Sequence, residues 1–210
     1  MQPPKDVYRV ARKPEPWALL SWTWAHDDGT FGNRYDDPKA KYRVLYASSQ
    51  RLSCFIETLA CYRIDMVTAQ GLAEITGEDD FFPQGKVPPD YLSTRTMGIA
   101  TIQAECADLC SADLIPTIRM KLLPFSEEFG LTDVDASVLQ CSSPRRLTQL
   151  VSRIVYDTES DGIRYLSRFG HNLENWALFE PVAILSRRTE GLKEDDADLV
   201  KALQLLKLSF

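Results

Sequence analysis

The stretch Tyr42-Arg43-Val44-Leu45-Tyr46-Ala47-Ser48-Ser49-Gln50-Arg51-Leu52-Ser53-Cys54-Phe55-Ile56-Glu57-Thr58-Leu59-Ala60 changes its hydrophobic period partway along. Tyr42 to Tyr46 alternate with period two, as a half-buried strand does. Ser48 and Ser49 offer hydroxyls suited to capping a helix. Beyond them Leu52, Phe55, Ile56, Leu59 and Ala60 recur at i, i+3, i+4, i+7 and i+8, the core stripe of an amphipathic helix. Glu57 lies off the centre of that stripe, and its i−4 and i+4 neighbours are Ser53 and Cys61, so no salt bridge within the helix accounts for it. Two readings stand: Glu57 faces water on the helix flank, or it points into a cleft where a cation or hydroxyls meet it.

Upstream, Val7 to Ala11 alternate as a strand before Lys13-Pro14-Glu15-Pro16 breaks it, and Trp17 to Trp24 form a short aromatic-rich stretch. His26 to Lys41 reads as a loop, with Gly29, Gly32 and Pro38 among several Asp and Asn residues. Downstream, residues 68–91 hold Gly, Pro and acidic residues and read as a surface excursion, an insertion of modest entropic cost. Leu92 to Ile102 is expected to be extended, Asp108 to Ile115 a short helix stopped before Pro116, and Ile118 to Leu123 a strand. Ser143-Pro144 opens a helix with Pro144 at its first position, followed by Leu147, Leu150, Val151 and Ile154 at helical spacing. Gly162 to Ser167 and Trp176 to Phe179 read as successive strands, and a final helix is expected near 195–206. Strands and helices interleave without regular crossover spacing, which predicts an α+β fold with a mixed or antiparallel sheet. Neither a Gly-x-Gly-x-x-Gly fingerprint nor a phosphate-binding Gly-Lys-Ser/Thr loop is present.

At 210 residues the chain fits one domain, 1–210. The net charge of −6 opposes a general nucleic-acid binder, whose phosphate contacts need clustered Lys and Arg, and leaves small molecules or proteins as partners. No apolar run reaches the length of a membrane span, and the first residues lack an apolar signal core, so a cytoplasmic protein is expected. The five cysteines read as reduced buried thiols; Cys106 and Cys110, four apart in a stretch that could be helical, lack the second pair that a zinc site requires.

Arg34 projects from the Gly32 to Pro38 loop and is suited to bidentate recognition of phosphate or carboxylate, although pairing with Asp36 or Asp37 would also account for it. Ser167 has no Gly-x-Ser-x-Gly elbow around it, so a hydrogen-bonding role fits better than a nucleophilic one. Tyr35 and Tyr46 provide either a stacking wall for a flat ring or core packing.

In order along the chain, Asn33-Arg34-Tyr35-Asp36-Asp37-Pro38, Arg43 to Ser48, Cys54 to Ala60, Arg146-Leu147-Thr148-Gln149 and Asp161 to Arg168 form a pattern that resembles the RES family, named for its Arg, Glu and Ser. The resemblance runs discontinuously from Arg34 to Phe179, and the chain is longer than a minimal RES domain through 68–91 and the region after Pro181. It implies a split sheet flanked by helices, similar to ADP-ribosyltransferases, and a cleft for NAD. It implies a toxin of a bacterial toxin–antitoxin pair that degrades NAD with phosphate as acceptor or transfers ADP-ribose to a protein. Carried onto this sequence, Arg34 holds pyrophosphate or the incoming phosphate, Tyr35 and Tyr46 flank the nicotinamide end, Glu57 bonds the adjoining ribose, and Ser167 orients ribose or nicotinamide. NAD would be the substrate and phosphate the co-substrate, with no cofactor or metal, and an antitoxin protein would cover the cleft. A catalytically silent binding module on the same fold is the alternative from another class.

Overall fold

The computed structural model describes residues 1–76, 84–140 and 143–210. In chain order the elements are β1 (Val7–Arg12), β2 (Val44–Ser48), α1 (Arg51–Leu59), α2 (Met66–Thr76), β3 (Gly85–Lys86), α3 (Tyr91–Thr94), β4 (Arg95–Gln103) and β5 (Cys106–Asp108). They continue with α4 (Ile115–Leu122), α5 (Ser126–Phe129), α6 (Ala136–Gln140), α7 (Arg145–Tyr156), β6 (Gly162–Ser167), β7 (Gly170–Phe179), β8 (Ala183–Gly191), α8 (Ala197–Leu206) and β9 (Leu208–Ser209). The fold is α+β, with seven strands in one mixed sheet ordered β5-β6-β7-β2-β1-β4-β8. Within it β5 and β6 run parallel and the other neighbours antiparallel.

Side-chain alternation divides the sheet into two faces. Helices cover one face: Leu147, Val151 and Val155 of α7 pack with Ile118 and Leu122 of α4 on Ile163, Ala177 and Phe179, while α1 and α8 pack on Val10, Met97 and Ile99. The other face carries Leu45, Ala47, Ala100, Ile102, Trp176 and Leu178, closed over by Trp17. Phe55, Ile56 and Leu59 of α1 are buried against this framework, each contributing about 1.5–3 kcal/mol of apolar burial. Arg51 fixes α1 to α8 through Asp196, whose carboxylate also caps α8 by accepting the Asp198 and Leu199 amides.

β1 pairs with β4 from Val7↔Ala100 to Arg12↔Arg95, but meets β2 through the single pair Tyr8↔Ser48. The sheet therefore opens at the β1–β2 seam. Arg9 bridges the opening, its Nη1 donating to the Tyr46 carbonyl at 2.6 Å and its Nε to the Pro16 carbonyl at 2.8 Å.

Several local expectations need correction. The strand expected over Tyr42 to Tyr46 begins and ends two residues later, and the serines that follow it do not cap α1, whose N-cap is Gln50. Ser48 is bonded to Asn175, and Ser49 donates to Glu174 and accepts the Trp176 indole N–H, so cross-strand partners have taken both hydroxyls. Ile118 to Leu123 belongs mainly to a helix: Ile118 and Leu122, four apart, face the core together, and Pro116 sits in the first turn, where its missing N–H costs nothing. Leu92 to Thr94 are helical before the extended segment starts at Arg95. Within 68–91, Ala69, Val87 and Tyr91 are buried and β3 pairs with β9, so this stretch returns to the core; the Gly77 to Pro83 cluster lies outside the described residues. Cys106 is in a strand and Cys110 in a turn, so their spacing is not helical. Cys141 also lies outside the described residues.

Candidate active site

The open seam leads into a cleft of about 540 Å³ whose lining includes Arg9, Arg34, Arg145 and Arg168, with Glu57 as the single carboxylate among the described residues. On a chain of net charge −6 this is a local concentration of cations, suited to an anionic ligand.

Glu57 enters from the flank of α1. Its Oε1 accepts the Ser167 hydroxyl at 2.7 Å and the Asn175 amide Nδ2 at 3.0 Å. Asn175 is 1% exposed, and its Oδ1 accepts the hydroxyls of Ser48 and Ser53, so the amide orientation is fixed from both ends. Register explains the convergence: Ser48, Asn175 and Tyr165 lie opposite one another on β2, β7 and β6. Ser167, at the end of β6, also accepts the Phe169 amide at 3.1 Å. With its proton directed at Glu57, this hydroxyl orients the carboxylate, and it is buried behind Glu57.

Arg34 stands on the loop before β2, and Asp36 shapes that loop by accepting the Phe31 amide at 3.0 Å, the Asn33 amide at 2.8 Å and the Tyr46 hydroxyl at 3.1 Å. From α7, Gln149 donates to the Asn33 carbonyl and Ser152 to the Tyr35 carbonyl, clamping the backbone on either side of Arg34. Asp37 accepts the Lys41 amide and an Arg153 guanidinium. The acidic neighbours are thus engaged with the loop and α7. Arg34 donates to the Gln140 carbonyl at 2.5 Å, and its guanidinium lies 5.1 Å from the Tyr35 ring centre and 5.3 Å from that of Tyr165.

The two tyrosines expected to flank a ring part company. Tyr46 lines the cleft, and burial raises its hydroxyl well above the ordinary tyrosine range, so it stays protonated. Tyr35 does not line it: its ring is fully buried in the core beside Tyr165, with centroids 4.8 Å apart, and its amide donates to the Tyr46 hydroxyl. Tyr35 therefore supports, through its amide, the tyrosine that lines the cleft.

Arg9, Tyr165 and Asn175 are cleft residues that sequence reasoning passed over. Burial lowers the Arg9 pKa, opposed by the nearby Cys54 and Tyr46, yet a guanidinium remains charged at any physiological pH. Tyr165 is pushed up by burial and then by the Glu57 charge. A charged residue in the middle of the alternating Val7 to Ala11 strand, and an Asn directly before the apolar Trp176 to Phe179 run, were the available signals.

Among the described residues, no helix is long and apolar enough to cross a membrane. No curated protein matches the chain. Among solved structures, the crystal structure of the M. tuberculosis MbcT-MbcA toxin-antitoxin complex is similar at 10% identity, covering 96% of this chain and 88% of that one, with a TM-score of 0.49. The model of the RES domain family matches residues 6–199, a span that includes the 68–91 stretch and most of the region after Pro181. The chain therefore belongs to the RES domain family.

Proposed function

We propose that this chain cleaves the nicotinamide–ribose bond of NAD with inorganic phosphate as acceptor, acting in the cytoplasm as the toxin of a bacterial toxin–antitoxin pair. The observation that carries the reading is a carboxylate, Glu57, held by Ser167 and Asn175 in a cleft whose charged lining is otherwise the guanidiniums of Arg9, Arg34, Arg145 and Arg168. Family membership supports an NAD-consuming class of reaction, and an antitoxin is proposed as the partner that covers the cleft.

The chemistry follows from charge. As the C1′–N bond breaks, its electron pair leaves with nicotinamide and neutralises the pyridinium, while the ribose gains oxocarbenium character. A fixed carboxylate beside C1′ stabilises that cation more than the ground state, which is what lowers a barrier. With Oε1 engaged by Ser167 and Asn175, Oε2 is the oxygen proposed to meet the ribose. Arg9 and Arg34 are proposed to hold the pyrophosphate and the incoming phosphate, and an oriented acceptor offsets the entropy of bringing two reactants together. A phosphate oxygen then bonds to C1′, giving ADP-ribose phosphate and free nicotinamide. Tyr46 and Tyr165, kept protonated, offer a flat wall to the leaving ring.

The test incubates purified protein with NAD, with and without inorganic phosphate, and separates the products by chromatography. Phosphate-dependent formation of ADP-ribose phosphate is expected. Free ADP-ribose formed at the same rate without phosphate would reassign the acceptor to water, and label on protein would reassign it to a side chain. Intact NAD at high concentration of folded protein would reject the reaction.

A further inference from the structure

We propose that Leu20, Trp22 and Phe31 form a purine-stacking shelf at the mouth of the cleft, which takes the adenine of the dinucleotide; this rests on the proposed reaction with NAD. Three large apolar side chains in the five residues 20–24 are exposed, Leu20 at 54%, Trp22 at 38% and Trp24 at 76%. Buried aromatic area is among the strongest stabilising contributions a chain has, so leaving it in water beside a cleft points to a ligand. Continuity with the cleft is direct: Leu20 lines it together with Arg9 and Glu57. Trp22 stacks on Phe31, with centroids 5.6 Å apart and planes inclined by 29°. Phe31 belongs to the loop that carries Arg34, and Trp22 follows Leu20 by two residues, so the ring pair joins two of the segments that line the cleft.

The shelf is fixed in place. Arg43 makes a two-pronged ion pair with Glu180, donates through Nη1 to the Leu20 carbonyl at 2.9 Å, and sets its guanidinium 5.8 Å from the Trp22 ring centre. Ser21 caps the turn by accepting the Thr23 amide. Flat, preorganised apolar surface next to guanidiniums is the composition that binds a base attached to phosphates, because every base has a stacking face. Glu57 and the arginines would handle the scissile end and the pyrophosphate, which leaves the purine as the part of the substrate without another recognition element.

Calorimetric titration of the full chain with adenosine monophosphate, and with ribose 5-phosphate as the probe lacking a base, tests the shelf without requiring turnover. The wild type is expected to bind the nucleotide more tightly than the sugar phosphate. Trp22→Ala and Phe31→Ala each raise the nucleotide Kd about tenfold, within the range for losing one base–aromatic stack, and leave that of ribose 5-phosphate unchanged. Trp22→Tyr, which keeps a ring, retains affinity within about twofold. In parallel, the ratio of kcat/KM for NAD to that for nicotinamide mononucleotide falls about tenfold in Trp22→Ala. Weakened nucleotide binding in the variants, with NAD left uncleaved by the wild type, would keep the shelf and reject the reaction. Unchanged nucleotide affinity in both alanine variants, or equal loss for both substrates, would overturn the shelf and leave the apolar rim to a protein partner.

Discussion

The two edges of β1 are treated in opposite ways. Toward β4 the strand is paired at every residue from Val7 to Arg12, and the neighbouring core of Met97 and Ile99 is sealed by α1 and α8. Toward β2 it pairs once, at Tyr8↔Ser48, and beyond that point side chains replace the backbone ladder. The closed edge is held by burial and repetitive hydrogen bonds, whose loss costs stability. The open edge is bridged by specific polar contacts of Arg9, to the Tyr46 and Pro16 carbonyls, and beside it in the cleft Asn175 holds Glu57. One strand thus separates a region closed by backbone pairing and apolar burial from an open one lined by charged and polar side chains.

Substitutions can break this contrast. The largest effect belongs to Arg34→Ala and Glu57→Ala, which are expected to abolish NAD turnover; the thermal midpoint of Arg34→Ala stays within a few degrees, whereas Glu57→Ala, which leaves the buried Ser167 hydroxyl and Asn175 amide without their acceptor, also costs about 1–3 kcal/mol. Steady-state kinetics with a melting curve on each variant checks this. On the closed edge the sign pattern reverses: Met97 is fully buried, so Met97→Ala should cost about 2–5 kcal/mol in denaturant unfolding and leave kcat per folded molecule unchanged. Arg9→Ala should fall on both sides. It strands the Tyr46 and Pro16 carbonyls at the seam, costing about 1–3 kcal/mol, and removes a cation from the cleft, so KM for NAD rises.

Smaller effects sharpen the comparison. Burial pushes the Cys54 thiol, which lines the seam and donates to the Tyr8 carbonyl, up to about 12 from an ordinary value near 9. The unfolded chain therefore ionises this thiol before the folded one does, and its contribution to stability is complete below about pH 9 and lost as pH rises toward about 12. Iodoacetamide at pH 8 should modify exposed Cys61 and spare Cys54, as peptide mass analysis would report. At the outer edge of the sheet, Arg187 meets Glu15 at 3.3 Å with 56% of its side chain exposed, so Arg187→Ala should move neither activity nor the thermal midpoint by more than about half a kcal/mol equivalent.

How much of this was legible in the sequence depended on range. The stripe of α1, the helix from Arg145 and the strand ending at Ser167 are local periodicities, and they were read nearly to their boundaries. Glu57 stood out because local sequence left its charge without a helical partner, and Arg34 because its Gly32 to Pro38 loop suits an anion site, although Asp36 and Asp37 offered it local partners. Arg9 and Asn175 did not, since each is defined by a partner on another strand, and register across a sheet is not written in either strand alone. Pro116 misled for a local reason: the same ring that ends a helix is accepted in its first turn, and only the packing of Ile118 with Leu122 decides between them. Tyr35 could be read from sequence as ring wall or as core, and only its burial beside Tyr165, under the Arg34 guanidinium, decides for the core.

The central claim is that the Glu57 carboxylate, held by Ser167 and Asn175, stabilises the cation formed when nicotinamide leaves. Its most direct test is nicotinamide release from saturating NAD in the presence of phosphate, measured in a single turnover for wild type and Glu57→Gln side by side. Gln keeps the size and hydrogen-bonding reach of the side chain and removes only its charge. The account predicts prompt release by the wild type and a loss of about a hundredfold to a thousandfold in the variant, the scale of removing one preorganised electrostatic partner. A Glu57→Gln rate within a few fold of wild type would contradict it.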